Sequence, residues 1–283
     1  MESKRKIYPY VLIALLLCCA TLVLWVLRDN TALMRTDYEI ASERLPAAFE
    51  GFVIAQISDL HNAQMGEGNR ELLDMLAKAK PDIIVITGDL IDARRTDISV
   101  ALAFLQNAVQ IAPCYMITGN HECAIDRVDY YSFEAQVREL GVFVLHDEAV
   151  ELERGGEQIT LLGVDDPNFI GMLYSPAGLR ELADTDGFCM MLSHRPEHFD
   201  RYAQAPIDLT FSGHAHGGQF RLPLIGGLYA PGQGVFPEYD SGIYTYQNAY
   251  MVVSRGIGNS SFPLRLCNRP ELVVVTLTAR DKS

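Results

Sequence analysis

Basic residues are scarce in this chain. It carries 23 Lys and Arg residues against 36 Asp and Glu residues, which gives a net charge of −13. Beyond residue 28 the only adjacent basic pair is Arg94-Arg95. Nonspecific binding to nucleic acid depends on basic side chains that neutralise phosphates. The charge balance therefore argues against nucleic acid as a partner and against peripheral attachment to anionic lipid.

Cysteine is also sparse, with six residues in the chain. Cys18 and Cys19 lie in an apolar segment near the N-terminus. No spacing among the six suggests a disulfide framework or a cysteine-rich structural zinc site. The other four are Cys114, Cys123, Cys189 and Cys267, and the sequence leaves their pairing open.

One uncharged apolar run stands out, over residues 7–27. At about 1.5 Å per residue it would form a helix of about 30 Å, enough to cross a bilayer core. Lys4, Arg5 and Lys6 precede it, so the positive-inside rule places the N-terminus in the cytoplasm and the remainder outside. The run exceeds the apolar core of a signal peptide, and no A-x-A-like cleavage site follows it. We therefore favour an uncleaved, single-pass signal-anchor in the cell membrane over a cleaved signal peptide or a buried core helix.

These features divide the chain into four parts. Residues 1–6 form a cytoplasmic N-terminus and residues 7–27 form the transmembrane signal-anchor. Residues 28–46 are interpreted as a short polar linker. Residues 47–283 have the length and composition of one globular domain.

Five short apolar runs end in residue types that bind metals or phosphate. The runs break off into Ser58-Asp59-Leu60-His61, Thr87-Gly88-Asp89, Thr118-Gly119-Asn120-His121-Glu122, Ser193-His194 and Ser212-Gly213-His214-Ala215-His216. Continuous rather than alternating apolar runs predict strands that are buried on both faces. Because ligands bind beyond the carboxyl ends of the strands in α/β sheets, we expect the five loops to meet in one site.

The side chains in these loops are carboxylates, imidazoles and an amide. Such ligands suit two divalent ions of Mn, Fe or Zn, and paired ions about 3.5–4 Å apart clamp both oxygens of an in-line displacement. Five of the seven histidines fall in the motifs. The other two, His146 and His198, are interpreted as ordinary surface or partly buried residues. Any one motif residue alone could be a helix cap or a turn residue, but the whole set predicts a metal centre.

In their order and content, these blocks resemble the calcineurin-like metallophosphoesterase superfamily. The matching blocks are Asp59-Leu60-His61, Gly88-Asp89-Leu90, Gly119-Asn120-His121-Glu122, Ser193-His194 and Gly213-His214-Ala215-His216. The similarity extends from about residue 51 to the C-terminus. The runs at residues 213–219 and 254–258 are similar to one branch, the membrane-associated bacterial phosphodiesterases of the YkuE and YaeI type.

The resemblance implies a fold, an activity and a set of roles. The fold would be a four-layer αββα sandwich of two mixed sheets flanked by helices. The activity would be metal-dependent hydrolysis of a phosphodiester or pyrophosphate, with in-line attack by a hydroxide that two ions hold. The implied metal ligands are Asp59, His61 and His216 for one ion, Asn120, His194 and His214 for the other, and Asp89 as the bridge. His121 is implied to be the catalytic residue that binds the phosphate or protonates the leaving oxygen.

Two alternatives to this function remain. One is a phosphomonoesterase or nucleotidase with the same site, because metal motifs recognise only the phosphate. The other is a binding module that has lost the chemistry, against which the presence of every ligand argues. The sequence assigns no residue to binding the rest of the substrate.

Hydrophobic periodicity outlines the remaining elements. Strands are predicted at residues 52–57, 83–87, 114–118, 142–145, 149–153, 158–164, 188–193, 208–212, 249–254 and 271–278. Helices are predicted near residues 69–79, 97–109, 129–140 and 175–184. Alternating strands and helices followed by a strand-rich half predict two sheets packed face to face with helices outside.

Residues 222–236 are apolar and rich in Gly and Pro, and they follow the last histidine motif. One interpretation is an apolar lip beside the site that contacts an acyl chain or the bilayer, which would suit a lipid-linked substrate. The other is an ordinary loop and edge strand packed on the core. The sequence leaves both open.

Overall fold

Two six-stranded β-sheets pack face to face, and helices cover their outer faces. The computed structural model describes residues 2–183, 186–259 and 262–280. The predicted four-layer αββα sandwich is therefore confirmed.

The elements follow one another along the described ranges. The α-helices are α1 (Glu2–Thr31), α2 (Arg70–Ala79), α3 (Ile98–Ala108), α4 (Asn120–Ala124), α5 (Arg127–Glu139), α6 (Pro167–Ile170), α7 (Pro176–Ala183) and α8 (Phe199–Tyr202). The first eight strands are β1 (Met34–Ser42), β2 (Val53–Ile57), β3 (Ile83–Ile86), β4 (Cys114–Met116), β5 (Phe143–Val144), β6 (Glu148–Arg154), β7 (Glu157–Gly163) and β8 (Cys189–Leu192). The others are β9 (Leu209–Ser212), β10 (Arg221–Leu222), β11 (Gly226–Gly227), β12 (Tyr229–Ala230), β13 (Gly234–Val235), β14 (Gly242–Tyr246), β15 (Ala249–Val253) and β16 (Glu271–Ala279).

The first sheet has the strand order β1–β16–β2–β3–β4–β5. The pairs from β2 to β5 are parallel, whereas β16 runs antiparallel to β2. Every side chain of β3 is buried, as its continuous apolar run predicts. Parallel pairing brings the carboxyl ends of β2, β3 and β4 to one edge of the sheet, so the loops with the first three motifs leave there.

The second sheet has the strand order β14–β15–β9–β8–β7–β6. Its inner pairs are parallel, and the outer pairs β14–β15 and β6–β7 are antiparallel. The strands β8 and β9 are buried along their whole length. They end directly before Ser193 and Gly213, and so they deliver the last two motifs.

Apolar side chains fill the space between the sheets and under the helices. Ile54, Val85, Met190 and Phe211 are among the fully buried residues between the two sheets. Two further clusters pack the outer faces of the sheets against the helices. Truncating a buried Leu, Ile or Met to Ala costs about 2–5 kcal/mol, so this packing holds the strand ends that carry the motifs in place.

The prediction of a polar linker over residues 28–46 is wrong for its central part. Met34–Ser42 forms β1, which pairs in parallel with β16 over all its residues. Arg35, Asp37 and Glu39 point outward and alternate with more buried side chains. Such a half-exposed edge strand carries charges, which is why it gives no apolar run.

Three shorter segments also differ from the predictions. Asn120–Ala124 forms the single-turn helix α4 instead of a loop. Gly242–Tyr246 forms the exposed edge strand β14 of the second sheet. Residues 222–236 contribute to two small hairpins, β10–β11 and β12–β13, which pair separately from both large sheets. The segment is therefore not an edge strand of either large sheet, although it does pack on the core through the buried Ala230.

Helix α1 contains the apolar run near the N-terminus. Within the described residues, Tyr10–Thr31 is the one helical stretch long and apolar enough to cross a membrane, and its apolar window is not buried inside the protein. The exposure of this window argues against the alternative of a buried core helix.

Candidate metal centre

All eight predicted site residues meet where the carboxyl ends of the two sheets adjoin. Asp59 and His61 follow β2, Asp89 follows β3, and Asn120 and His121 open α4 after β4. His194 follows β8, and His214 and His216 follow β9. Except for the half-buried Asn120, all are buried.

Unusual backbone conformations aim these side chains inward. Asp59, His61, Asp89, His214 and His216 all have positive φ values, between 45° and 65°. This left-handed region is rare for residues other than Gly and costs about 1–3 kcal/mol at each position. Five such residues in one site indicate that the surrounding fold is organised around the position of these side chains.

Close packing of the loops also requires glycine at Gly119. A Cβ atom there would clash with the Asp89 carboxylate and with the Asp89 backbone nitrogen. The loops after β3 and β4 can therefore touch only because Gly119 has no side chain.

Asp59, His61 and His216 form what we call the first cluster. The His61 Nε2 and His216 Nε2 atoms lie 3.2 Å apart. Asp59 Oδ1 lies 3.9 Å from His61 Nε2 and 3.5 Å from His216 Nε2. The outer Nδ1 atoms of both imidazoles are buried without a hydrogen-bond partner.

Asn120, His194 and His214 form the second cluster. His194 Nδ1 lies 2.7 Å from the carbonyl oxygen of Thr87 and must donate its proton to it. In the neutral ring this leaves a lone pair on Nε2. That atom faces Asn120 Oδ1 and His214 Nδ1, each at 3.1 Å.

Asp89 joins the two clusters. Its Oδ2 atom lies 3.5 Å from His61 Nε2 and 3.3 Å from His194 Nε2. Its Oδ1 atom accepts a hydrogen bond from the His121 N–H at 2.7 Å. The carboxylate is thus held at one oxygen and presents the other to both clusters.

The charges at the site fit a cation. Burial raises the pKa of Asp59 to about 6 and lowers the pKa of His61 to about 4. Burial also disfavours protonation of His194, but Asp89 and the other nearby carboxylates outweigh it and raise the pKa of His194 to about 10. Carboxylate, amide and imidazole groups surround His194 Nε2, and such a donor set suits a divalent ion. The residues present fit a dinuclear metal centre.

Glu122 is a supporting residue to which the sequence interpretation gave no role. Its carboxylate accepts hydrogen bonds from the N–H groups of Asp89, Gly119 and Ile91 at 2.8, 2.9 and 3.2 Å. It therefore ties the loop after β3 to the loop after β4. Its place in the Gly119-Asn120-His121-Glu122 block was the signal that could have found it.

His121 lies at the rim of the first cluster, where its ring meets that of His61 edge-on with centroids 4.4 Å apart. Its Nδ1 atom accepts a hydrogen bond from the Ala93 N–H at 3.0 Å, so the neutral ring carries its proton on Nε2. Asp92 Oδ1 lies 3.5 Å from the same Nδ1 atom. Asp92, three residues after Asp89, is a second residue that the sequence interpretation missed.

Arg195 and Asp166 support the second cluster. The guanidinium donates to Asp166 Oδ2 at 2.5 Å and to Oδ1 at 3.1 Å. Its Nη1 atom lies 2.9 Å from His214 Nε2. Bidentate pairs of this kind fix the orientation of the guanidinium as well as its charge. Arg195 therefore holds the His214 ring in place at its Nε2 atom. Only the adjacency of Arg195 to His194 could have suggested this from sequence.

An open cleft of about 530 Å³ begins at His61. Asp92, Arg95, Asn259 and Pro263 are among the residues along its walls. The cleft is of the size that small-molecule sites use, and it leads from solvent to the first cluster.

His146 lies outside the centre, between two carboxylates. Its Nδ1 atom is 2.9 Å from Asp165 Oδ2 and its Nε2 atom is 3.2 Å from Glu134 Oε1. Burial disfavours the charged ring, but Asp165 and Glu134 outweigh burial and raise the pKa of His146 above its ordinary 6.5. His146 is therefore half-buried and ion-paired.

The His146→Gln variant should show a pH-dependent loss of stability. Because the folded-state pKa is raised, the ion pairs stabilise the fold fully below about pH 6.5, and this contribution is lost as the pH rises through the folded-state pKa. Urea unfolding in detergent at a series of pH values should show a gap between wild type and variant that closes at high pH. The His198→Gln variant is the control, because burial lowers the pKa of His198 and any pH-dependent gap should therefore have the opposite sign. A gap that does not change with pH would refute the assignment.

Comparison with known proteins identifies the class. A model of the calcineurin-like phosphoesterase family matches residues 52–218, more than half of the chain. The chain belongs to this family, and it is a metal-dependent phosphoester hydrolase.

Two curated relatives confirm the resemblance to the YkuE and YaeI branch. The uncharacterized metallophosphoesterase YkuE of Bacillus subtilis (strain 168) is 30% identical over 257 residues, which cover 87% of this chain and 86% of YkuE. Phosphodiesterase YaeI of Escherichia coli (strain K12) is 26% identical over 229 residues, which cover 80% of this chain and 82% of YaeI.

A solved structure shares the fold. The 5'-nucleotidase precursor from Thermus thermophilus superimposes with a TM-score of 0.51 at 13% identity. The match covers 80% of this chain and 54% of that protein, so this chain spans about half of it. At this identity the likeness concerns the fold alone.

Proposed function

We propose that α1 anchors the chain in the cell membrane and that a dinuclear metal centre hydrolyses a phosphodiester or pyrophosphate carried by a lipid. The catalytic part rests on one observation. Asp89 Oδ2 lies 3.5 Å from His61 Nε2 of the first cluster and 3.3 Å from His194 Nε2 of the second cluster. The relative that is called a phosphodiesterase supports a diester over a monoester substrate.

The first cluster would hold one ion, the second cluster the other, and Asp89 would bridge them. Their imidazole, carboxylate and amide donors suit Mn, Fe or Zn. When bound, two such ions activate water and stabilise negative charge on phosphoryl oxygens. His121 holds its proton on Nε2, opposite the nitrogen that accepts from Ala93. A proton at that position can pass to the leaving oxygen of the substrate.

The substrate assignment is tested with purified full-length protein in detergent. Phosphodiesters, phosphomonoesters and lipid pyrophosphates are supplied in turn, with Mn²⁺, Fe²⁺ or Zn²⁺ added back. The proposal expects turnover of diesters or pyrophosphates to exceed that of monoesters by at least about tenfold, a difference of about 1.4 kcal/mol in transition-state stabilisation. A clear preference for monoesters would favour the nucleotidase alternative.

The orientation gives a separate prediction, which depends on Lys4, Arg5 and Lys6 preceding the apolar run. Positive residues stay on the cytoplasmic side, so the globular domain lies outside. Protease added to intact cells without their wall should digest that domain. Digestion only after the membrane is permeabilised would reverse the proposed orientation, and a cytoplasmic marker protein serves as the control for intact cells.

A further inference from the structure

The C-terminal end of α1 is bonded firmly to the globular domain. Asp29 Oδ2 accepts a hydrogen bond from the Cys267 N–H at 2.5 Å, and Asp29 is 5% exposed. The Asn30 side chain accepts from the Arg265 N–H at 2.8 Å and donates to the Arg265 carbonyl at 3.0 Å. The helix therefore enters the domain through a fixed joint.

The same joint borders the cleft and the metal centre. Asn259, which lines the cleft, donates to Asn30 Oδ1 at 3.2 Å. The buried Arg265 side chain donates to Asn259 Oδ1 at 2.9 Å and also to the Gly258 carbonyl. The Gly258 N–H in turn donates to the carbonyl of Asp59 at 2.7 Å. A short chain of direct contacts thus joins the end of α1 to a predicted metal ligand.

Exposed apolar side chains lie beside this joint, some of them lining a pocket with Cys267, and we call them the apolar collar. The collar consists of Leu222, Leu224, Ile225, Phe262 and Leu264, which are 38%, 108%, 65%, 55% and 46% exposed.

Three hydrogen bonds hold the collar beside the joint. Gln219 Nε2 donates to the carbonyls of Phe262 and Leu264 at 3.0 and 2.7 Å. The Arg221 N–H donates to the Leu266 carbonyl at 2.9 Å, one residue before Cys267. Both parts of the collar are therefore tied to the segment that binds α1.

The end of the apolar run in α1 fixes how far the joint lies from the bilayer core. Asp29 is two residues beyond Leu27, the last residue of the uncharged run, or about 3 Å along a helix. Trp25 is 48% exposed near this end, and Trp is typical of the membrane–water interface. The headgroup layer on each side of a bilayer core is several Å thick, so the joint falls within it.

We propose that the apolar collar docks on the outer leaflet and seats the cleft at the level of the lipid headgroups. This inference rests on the membrane anchoring proposed above and adds the surface that orients the domain. Exposed apolar patches mark contact sites, and this one continues directly from a helix that spans the bilayer. A chain with a net charge of −13 gains no attraction from anionic headgroups, so apolar contact is the available means. A headgroup phosphoester can then reach the metal centre without leaving the membrane.

Tryptophan fluorescence tests the inference because the chain has a single Trp. On a Trp25→Phe background, Phe262→Trp and Leu224→Trp place the probe in the collar. Val128→Trp, at a site 75% exposed on α5, is the matched control. Each full-length variant is reconstituted in phosphatidylcholine vesicles whose acyl chains are brominated near the headgroup. The collar probes should lose most of their fluorescence, whereas the Val128→Trp probe should keep it.

The outcomes separate this inference from the proposed function. Flotation with the vesicles reports anchoring, and hydrolysis of a water-soluble phosphodiester reports the catalytic centre. A chain that floats and is active but whose collar probes are not quenched overturns the docking alone. If neither acrylamide nor bromolipid quenches the collar probes, a second copy of the chain covers the collar. This result would also overturn the proposed docking on the membrane. A chain that does not float contradicts both the anchoring and the docking.

Discussion

Replacing Asp89 with asparagine is expected to remove most of the phosphoesterase activity and to lower the metal content of the protein. Asp89 Oδ1 accepts from the His121 N–H at 2.7 Å, and the amide oxygen of asparagine can keep this bond. The other oxygen faces His61 Nε2 and His194 Nε2 at 3.5 and 3.3 Å. An amide nitrogen there brings no charge and no lone pair. Loss of a residue that only supports a ligand costs about 10–100-fold in affinity or activity, and loss of a bridging ligand should exceed about 100-fold.

Asp126→Asn is the matched control for this variant. Asp126 is the exposed N-cap of α5 and accepts from the Val128 N–H at 2.8 Å. Asparagine caps helices as well as aspartate does, so the control should keep activity, metal content and fold. Activity and elemental analysis are measured on the same preparations. A folded Asp89→Asn protein with wild-type metal content and turnover would remove Asp89 from the centre.

His121→Ala should separate catalysis from metal binding. His121 belongs to neither cluster, and its Nδ1 atom accepts from the Ala93 N–H. The variant should therefore keep both ions and lose turnover by about 10²–10⁴-fold, the range for a general acid. The loss should be smaller for a substrate whose leaving group needs no proton, such as a nitrophenyl ester.

His198→Ala controls for the loss of a histidine. His198 follows Glu197 on a turn and lies beside Tyr202, with ring centroids 6.4 Å apart. It contributes to neither cluster, so its removal should leave turnover unchanged. His61, Asp92 and His121 also lie close enough together to hold an ion. If His121→Ala loses an ion as well as turnover, His121 is a ligand and the proposed proton transfer is wrong.

The strands that carry the site could be predicted because they are short, apolar and buried on both faces. The strand β3, for example, is Ile83–Ile86 in the structure against residues 83–87 in the prediction. By contrast, β1 alternates charged and half-buried residues and pairs with β16, whose partner residues lie 237 positions further along the chain (Met34 with Glu271). The helix α4 has five residues, which is too few for a helical period to be recognised.

The site residues could be named from the sequence, but their arrangement could not. The positive φ values of Asp59, Asp89 and His214 result from tertiary packing and have no local signal. The same holds for Glu122, whose three N–H partners lie on two loops. Such supporting residues are recognised only when the loops that they join are seen together.

The joint at the end of α1 was the least predictable feature. The fully buried Arg265 looks like an ordinary surface cation in the sequence. Its guanidinium is satisfied by oxygens, including the Arg255 carbonyl at 2.8 Å and Asn259 Oδ1 at 2.9 Å. Every residue type supplies a backbone carbonyl, so no sequence motif can predict which carbonyls will accept from a buried arginine.

Metal titration of the wild-type protein tests the dinuclear centre most directly. Metal-free full-length protein in detergent is titrated with Mn²⁺, and bound metal and phosphodiesterase turnover are measured on the same samples. The two clusters and their shared Asp89 predict that turnover reaches its plateau only when close to two ions are bound per chain. Full turnover with one bound ion, or a folded protein that never binds a second, would contradict the dinuclear centre.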